Sequence, residues 1–182
     1  MGGVTTMPAS GDWTVDDLDA LPDDGLRYEL VDGILLVSPA PRVLHQLAQA
    51  ELLMVLGAAA PAHLRVLVAP LDITVSRTRL LQPDLVVFAR HQLRGARADG
   101  LPLLAVEVLS PSTRATDLTL KRHVLEQAGV ASYWLLDPDA PSLTVLELVD
   151  GVYVEVAVAT GDEAYDAVLP FPVRVVPSAL VR

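Results

Sequence analysis

The amino-acid sequence predicts an α+β fold, in its mixed α/β form, with helices packed on a mixed sheet. Three observations carry that expectation. An apolar stripe of helical period runs from about Arg42 to Ala59. Two Asp-Gly pairs, Asp32-Gly33 and Asp150-Gly151, sit between apolar runs as β-hairpin turns. Between the apolar runs 103–109 and 132–137 lies a helical stretch, the pattern of two parallel strands joined by a right-handed crossover.

Taken in order, residues 1–12 read as a loose tail and 13–182 as one domain, long enough to bury a core without covalent staples. "TVDDLDAL" (14–21) reads as a short helix with Thr14 as N-cap and Asp17 completing a capping-box pair. "YELVDGILLV" (28–37) is two short strands around Asp32-Gly33. The helix that follows has its apolar residues at 44, 47, 48, 52, 55 and 56. Strands are expected at 64–69, 71–76, 82–88 and 103–109, and a helix from about Asp117 to Ala128 closed by Gly129. Strands at 132–137, 143–148 and 152–159 complete the sheet, the last two joined by Asp150-Gly151.

Composition bounds the function. The chain is 52% hydrophobic, which fits a globular domain rather than a disordered one. Its longest uncharged apolar stretch, Leu52 to Ala60, is too short to span a bilayer, so no membrane partner is expected. The N-terminal residues lack a basic region followed by an apolar one, and cysteine is absent; both fit a cytoplasmic protein and exclude thiolate metal sites. The net charge of −10 repels a phosphate backbone, so sequence-independent affinity for nucleic acid should be low.

One residue stands out against this background. Glu107 interrupts the run Leu103-Leu104-Ala105-Val106 before Val108 and Leu109. A carboxylate buried there costs several kcal/mol, roughly, unless a cation or donors meet it. The cation on offer is Lys121, the sole lysine beside 12 arginines. It sits three residues after Leu118 and four before Leu125, in the centre of the stripe Leu118, Val124, Leu125, Ala128 that should face the sheet. A short crossover brings that helix back over the strand bearing Glu107. Asp84, after Pro83, supplies a second carboxylate from a neighbouring strand. With the Val108 backbone carbonyl, Asp84 and Glu107 make a hard-oxygen site suited to Mg²⁺ or Mn²⁺. Such an ion activates water and neutralises a scissile phosphate. A desolvated lysine can orient or deprotonate that water, whereas an arginine keeps its proton.

At these residues the sequence resembles the bacterial putative restriction endonuclease family (domain of unknown function 820), a branch of the PD-(D/E)XK nuclease superfamily. The motifs are "YELVDG", "SPAPRVLHQ", "QPDLVVF", "AVEVLSPSTRATDLTLK" and "AGVASYWLLDP", in a resemblance from about Trp13 to "LPFPVRV". It implies a restriction-endonuclease-like core, a mixed β-sheet flanked by helices, over 13–182. It implies Asp84 as the PD aspartate and Glu107 as the (D/E)XK acid. Leu109 stands where the superfamily has its lysine, and Lys121 takes that role from the following helix. Glu29 and His45 match positions placed near the same site, and a homodimer is expected by analogy with the family.

Other residues keep two readings. Glu29 either assists the chemistry or braces the hairpin and pairs with Arg27. His45 is a second layer of the site or a hydrogen-bonded core histidine. Asp72 is a candidate supporting acid, and Asp117 is that or a charge favoured at a helix N-terminus. Ser112 either helps to cap the helix or contacts a phosphate. Arg90, Arg94 and Arg97 form a basic cluster, a solvated loop or a phosphate clamp that offsets the acidic surface. The function expected is a metal-dependent endonuclease acting on DNA, with Asp84, Glu107, Lys121 and Glu29 at its centre. The alternative is a catalytically silent nuclease-fold protein that binds a partner or small ligand.

Overall fold

The computed structural model describes residues 12–22, 25–94 and 98–182. The expected tail falls outside these except for Asp12, as does Arg97 of the basic cluster. The elements are α1 (Val15–Asp19), β1 (Arg27–Val31), β2 (Ile34–Ser38), α2 (Val43–Ala59), β3 (Leu64–Val68), β4 (Ile73–Ser76), β5 (Arg79–Leu81), β6 (Leu85–Ala89) and β7 (Leu104–Val108). A helical run follows, made of α3 (Arg114–Thr116), a π turn (Asp117–Lys121) and α4 (Arg122–Ala128). Then come β8 (Ser132–Asp137), β9 (Ser142–Val149), β10 (Val152–Thr160), β11 (Tyr165–Ala167) and β12 (Val173–Val175). The fold is α+β with a mixed sheet, as expected.

The strands form three sheets where the sequence suggests one. Six strands lie in the order β10-β9-β8-β7-β6-β3, four in the order β2-β1-β5-β4, and β11 pairs with β12. Within the six-stranded sheet only β7 and β8 run parallel, joined by the helical run as the crossover. Period-two alternation gives this sheet two apolar faces. Leu85, Val87, Leu104, Val106, Trp134 and Leu136 pack toward Ala48, Leu52 and Leu56 of α2. Val86, Phe88, Ala105, Tyr133 and Leu135 pack on the other side toward Val124 and Leu125 of α4 and toward Val31, Ile73 and Leu81 of the small sheet. The small sheet's far face closes on α1 through Trp13, Val15, Leu30 and Leu80.

Both Asp-Gly turns take the left-handed backbone that two-residue hairpins demand: Asp32 and Gly33 at φ 49° and 77°, Asp150 and Gly151 at 50° and 83°. In α1, Asp17 Oδ2 accepts hydrogen bonds from the Thr14 N–H (2.8 Å) and hydroxyl (2.6 Å). The α4 C-terminus closes on Gly129 at φ 91°, with Gly129 N–H donating to Glu126 O and Val130 N–H to Leu125 O, both at 3.1 Å. That is the Schellman arrangement.

Two helix faces differ from expectation. The buried side of α2 is His45, Ala48, Gln49, Leu52 and Leu56, while Leu47 is exposed. The helix is turned by about one residue, because its first two turns face a polar site instead of the core. Leu118 is likewise exposed, and the π turn presents Asp117 and Lys121 inward in its place. Among the described residues, no helix is long and apolar enough to cross a membrane.

Candidate active site

The antiparallel register of β6 and β7 pairs Leu85 with Val106. One step further along the same register sets Asp84 opposite Glu107. Both follow the alternation that turns them away from α2 and toward α4 and the small sheet. Asp84 is the residue before β6 rather than its first member. It is fixed from several sides. Its Oδ2 accepts the Val108 N–H at 2.8 Å and lies 3.2 Å from His45 Nε2, while Gln49 Nε2 donates to its backbone carbonyl at 2.8 Å. His45 and Gln49 are one helical turn apart on α2, so one face delivers both.

Glu107 meets the cation that its burial requires. Lys121 Nζ lies 3.1 Å from Glu107 Oε1, 2.9 Å from Glu29 Oε2 and 3.1 Å from Asp117 Oδ1, and the lysine is 2% exposed. The π turn makes this possible. Its wider winding sets Asp117 and Lys121 one above the other on the inner face, and such turns recur at functional sites. Asp117 is therefore no solvated N-terminal charge; it is 1% exposed, and its carbonyl accepts the Tyr133 hydroxyl at 3.0 Å. Glu29 comes from β1 of the small sheet, and its Oε1 accepts the Gln82 N–H at 2.8 Å.

A second cation completes the cluster. Arg27 Nη1 is 2.9 Å from Asp84 Oδ1, Nη2 is 3.8 Å from Glu107 Oε2, and Nε is 3.7 Å from Glu29 Oε2. Nη2 also donates to the Gln82 carbonyl. Burial pushes the Asp84 carboxyl up, but the His45 contact, the Arg27 guanidinium and the Val108 N–H outweigh it and hold the group at about 2. For Glu107 burial wins: despite Lys121, it and the neighbouring acids push the carboxyl well above the usual range. Burial also raises Asp117. Burial disfavours a charged Lys121, yet Glu107, Glu29 and Asp117 together raise its pKa, so the amine stays protonated.

The remaining expected residues divide. Ser112 lines the cleft above the site, its hydroxyl 3.0 Å from that of Ser110. Asp72 stays outside and reaches the site only through Gln82, whose Nε2 donates to it at 2.7 Å. Arg90 and Arg94 lie beyond the opposite end of β6, roughly 20 Å along the strand from Asp84, and do not line the cleft. Sequence reading offered Arg27 only as a partner of Glu29 and passed over Gln49 and Gln82. Two had a signal: Arg27 is two residues from Glu29 on a strand, and Gln49 is four from His45 on a helix.

Arg27, His45, Gln49, Gln82, Asp84, Glu107 and Lys121 line a cleft of about 960 Å³. Its walls include Pro39, Pro41, Leu53, Pro70 and Pro111, with Arg42 near the mouth. The donors suit a hard divalent cation: the Asp84 and Glu107 carboxylates, beside the Val108 backbone whose N–H Asp84 accepts. Four acids here face only Arg27 and Lys121 as permanent cations, and a divalent ion would favour the ionised form of Glu107 against the burial that raises it. Among the described residues, however, no three His, Asp or Glu side chains are grouped to hold a metal ion. The acids are turned onto the two basic side chains.

Comparison with known proteins agrees with this architecture. Residues 15–177 match the family model described as "Uma2: Putative restriction endonuclease". A solved structure from Anabaena variabilis, described as a putative nuclease belonging to DUF820, superposes with a TM-score of 0.74 at 24% identity, covering 93% of this chain and 97% of that one. No curated protein matches.

Proposed function

The chain belongs to the family described as "Putative restriction endonuclease", and on that premise we propose that it is a nuclease, a metal-dependent endonuclease hydrolysing phosphodiester bonds of DNA. The observation that carries the reading is the convergence of Lys121 with Glu29, Glu107 and Asp117, with Lys121, Glu107 and the neighbouring Asp84 lining one cleft. Asp84, Glu107 and the Val108 carbonyl would hold Mg²⁺ or Mn²⁺. Such an ion, when bound, lowers the pKa of a coordinated water and neutralises charge on the phosphate.

The chain's own residues do the rest. Lys121, held protonated by three carboxylates, serves as a fixed donor that orients water and phosphate oxygen, not as the base. Glu29 positions that amine at 2.9 Å while its other oxygen is tied to the Gln82 N–H. His45 and Gln49 hold Asp84 so that its carboxylate stays ionised and aimed at the cleft. Pro39, Pro41, Pro70 and Pro111 line the approach to these groups.

The test is cleavage of supercoiled plasmid, linear duplex and single-stranded DNA with MgCl₂ or MnCl₂. Wild type should cut, and Lys121→Met and Asp84→Asn should each lose activity by a factor on the order of 10² or more. Absence of cleavage on every substrate would remove the reading. A second reading, a nuclease-fold protein that binds without hydrolysis, is favoured by the net charge of −10 and expects that negative result. We carry a homodimer as part of the leading reading, since two copies supply two cuts; light scattering should return about twice 19.4 kDa.

A further inference from the structure

One member of the cluster has no part in the chemistry above. Arg27 reaches Asp84 at 2.9 Å and Glu107 at 3.8 Å, the two acids that would hold a divalent ion. A guanidinium cannot vacate such a place by losing its proton, so it yields only by moving. We propose that Arg27 is a built-in cation occupying the divalent-ion position between Asp84 and Glu107, and that an entering ion must displace it. The inference rests on the metal-dependent reading of this site.

Three observations support an exchange over a permanent plug. Arg27 keeps 25% of its side chain exposed while Asp84, Glu107 and Glu29 keep 3% or less. It lines the cleft, so the aqueous side is its exit. Its Nε has no hydrogen-bond partner and lies 3.7 Å from Glu29, so that edge is held by charge alone. Once displaced into the cleft, the guanidinium meets the space in which a phosphodiester would lie, and its paired N–H groups match a phosphate. Cation entry and anion capture are then two halves of one movement. The acids also never face one another uncompensated, because one cation or the other always separates them.

Titration calorimetry with MnCl₂ in chelator-free buffer tests this. Wild type should bind weakly, and Arg27→Met at least about tenfold more tightly, because a competing charge is gone. Equal or weaker binding by Arg27→Met, or no binding by either form, overturns the proposal. A measurement on wild type guards against a variant that fails to fold: modification of Arg27 by an arginine-specific dicarbonyl reagent, read by peptide mass spectrometry. It should rise on saturation with MnCl₂ in wild type and not in Asp84→Asn; no change in wild type overturns the proposal. The two readings fail separately. Tighter Mn²⁺ binding by Arg27→Met without cleavage by any form removes the nuclease and leaves the exchange. Cleavage by wild type with no gain in affinity for Arg27→Met does the reverse.

Discussion

Asp84 is a residue whose ionised form the cluster favours. Its folded-state carboxyl sits at about 2, below the ordinary value of 3.8. The sign follows from linkage: a depressed carboxyl stabilises the fold above its unfolded pKa, and that stability is lost as pH falls toward the folded value. The difference corresponds to about 2 kcal/mol. In chelated buffer, urea unfolding should find Asp84→Asn less stable than wild type near pH 6, the gap closing as pH falls through about 4 toward 2. A gap that stays constant would show that the carboxylate's charge contributes nothing. At this scale the acids were legible in the sequence and their counter-cation only half so. Glu107 in an apolar run and a lone lysine in a helical stripe are anomalies with one cheap resolution. Arg27 lies two residues from Glu29 on one strand, but its contact with Asp84 needs the small sheet folded against the large one, which no local pattern specifies.

Among the elements, the helical run from Arg114 to Ala128 decides whether the site exists, since it alone delivers Lys121. Its C-terminal stop depends on Gly129 at φ 91°, where an added Cβ would meet nothing within 4 Å. Gly129→Ala therefore isolates backbone strain, and should cost about 1–2 kcal/mol, read as a fall of roughly 2–8 °C in the thermal midpoint. A fall beyond that range would mean that the residue does more than end the helix. The hairpins and the crossover were readable because Asp-Gly pairs and apolar runs are local signals. The phase of α2 was not: Leu44, Leu47 and Val55 look as apolar as Leu52 and Leu56, and only Asp84 at the end of a distant strand draws His45 and Gln49 inward. The three-residue strands β5, β11 and β12 carry too little alternation to announce themselves.

For the whole molecule the question is how a chain of net charge −10 approaches a polyanion. Arg42 lines the cleft and Arg114 follows its lining residue Thr113; each is half exposed, Arg42 paired with Asp139 of the β8–β9 turn at 2.6 Å and Arg114 with the buried Asp137 at the end of β8 at 2.5 Å. The exposed Arg42–Asp139 pair is weak and exchanges readily for a phosphate, and the Arg114 side chain keeps half its surface free to do the same. With two such arms, the affinity for duplex DNA in chelated buffer should fall with salt at a log–log slope of about −2, far shallower than that of a basic groove. Fluorescence anisotropy across a salt series measures it, and Arg42→Ala should flatten the slope by about one. A slope steeper than about −5 would demand a basic surface that the described residues do not offer.

The cluster straddles a seam. Arg27 and Glu29 ride on the small sheet, Asp84 and Glu107 on the large one, and Lys121 on the helical run beside them. Sliding one sheet past the other by a single residue would scatter all five groups while leaving each ladder zipped and most apolar packing intact. Chemistry in this molecule can thus be extinguished without melting anything: the five groups would part while the amides of both ladders stayed protected.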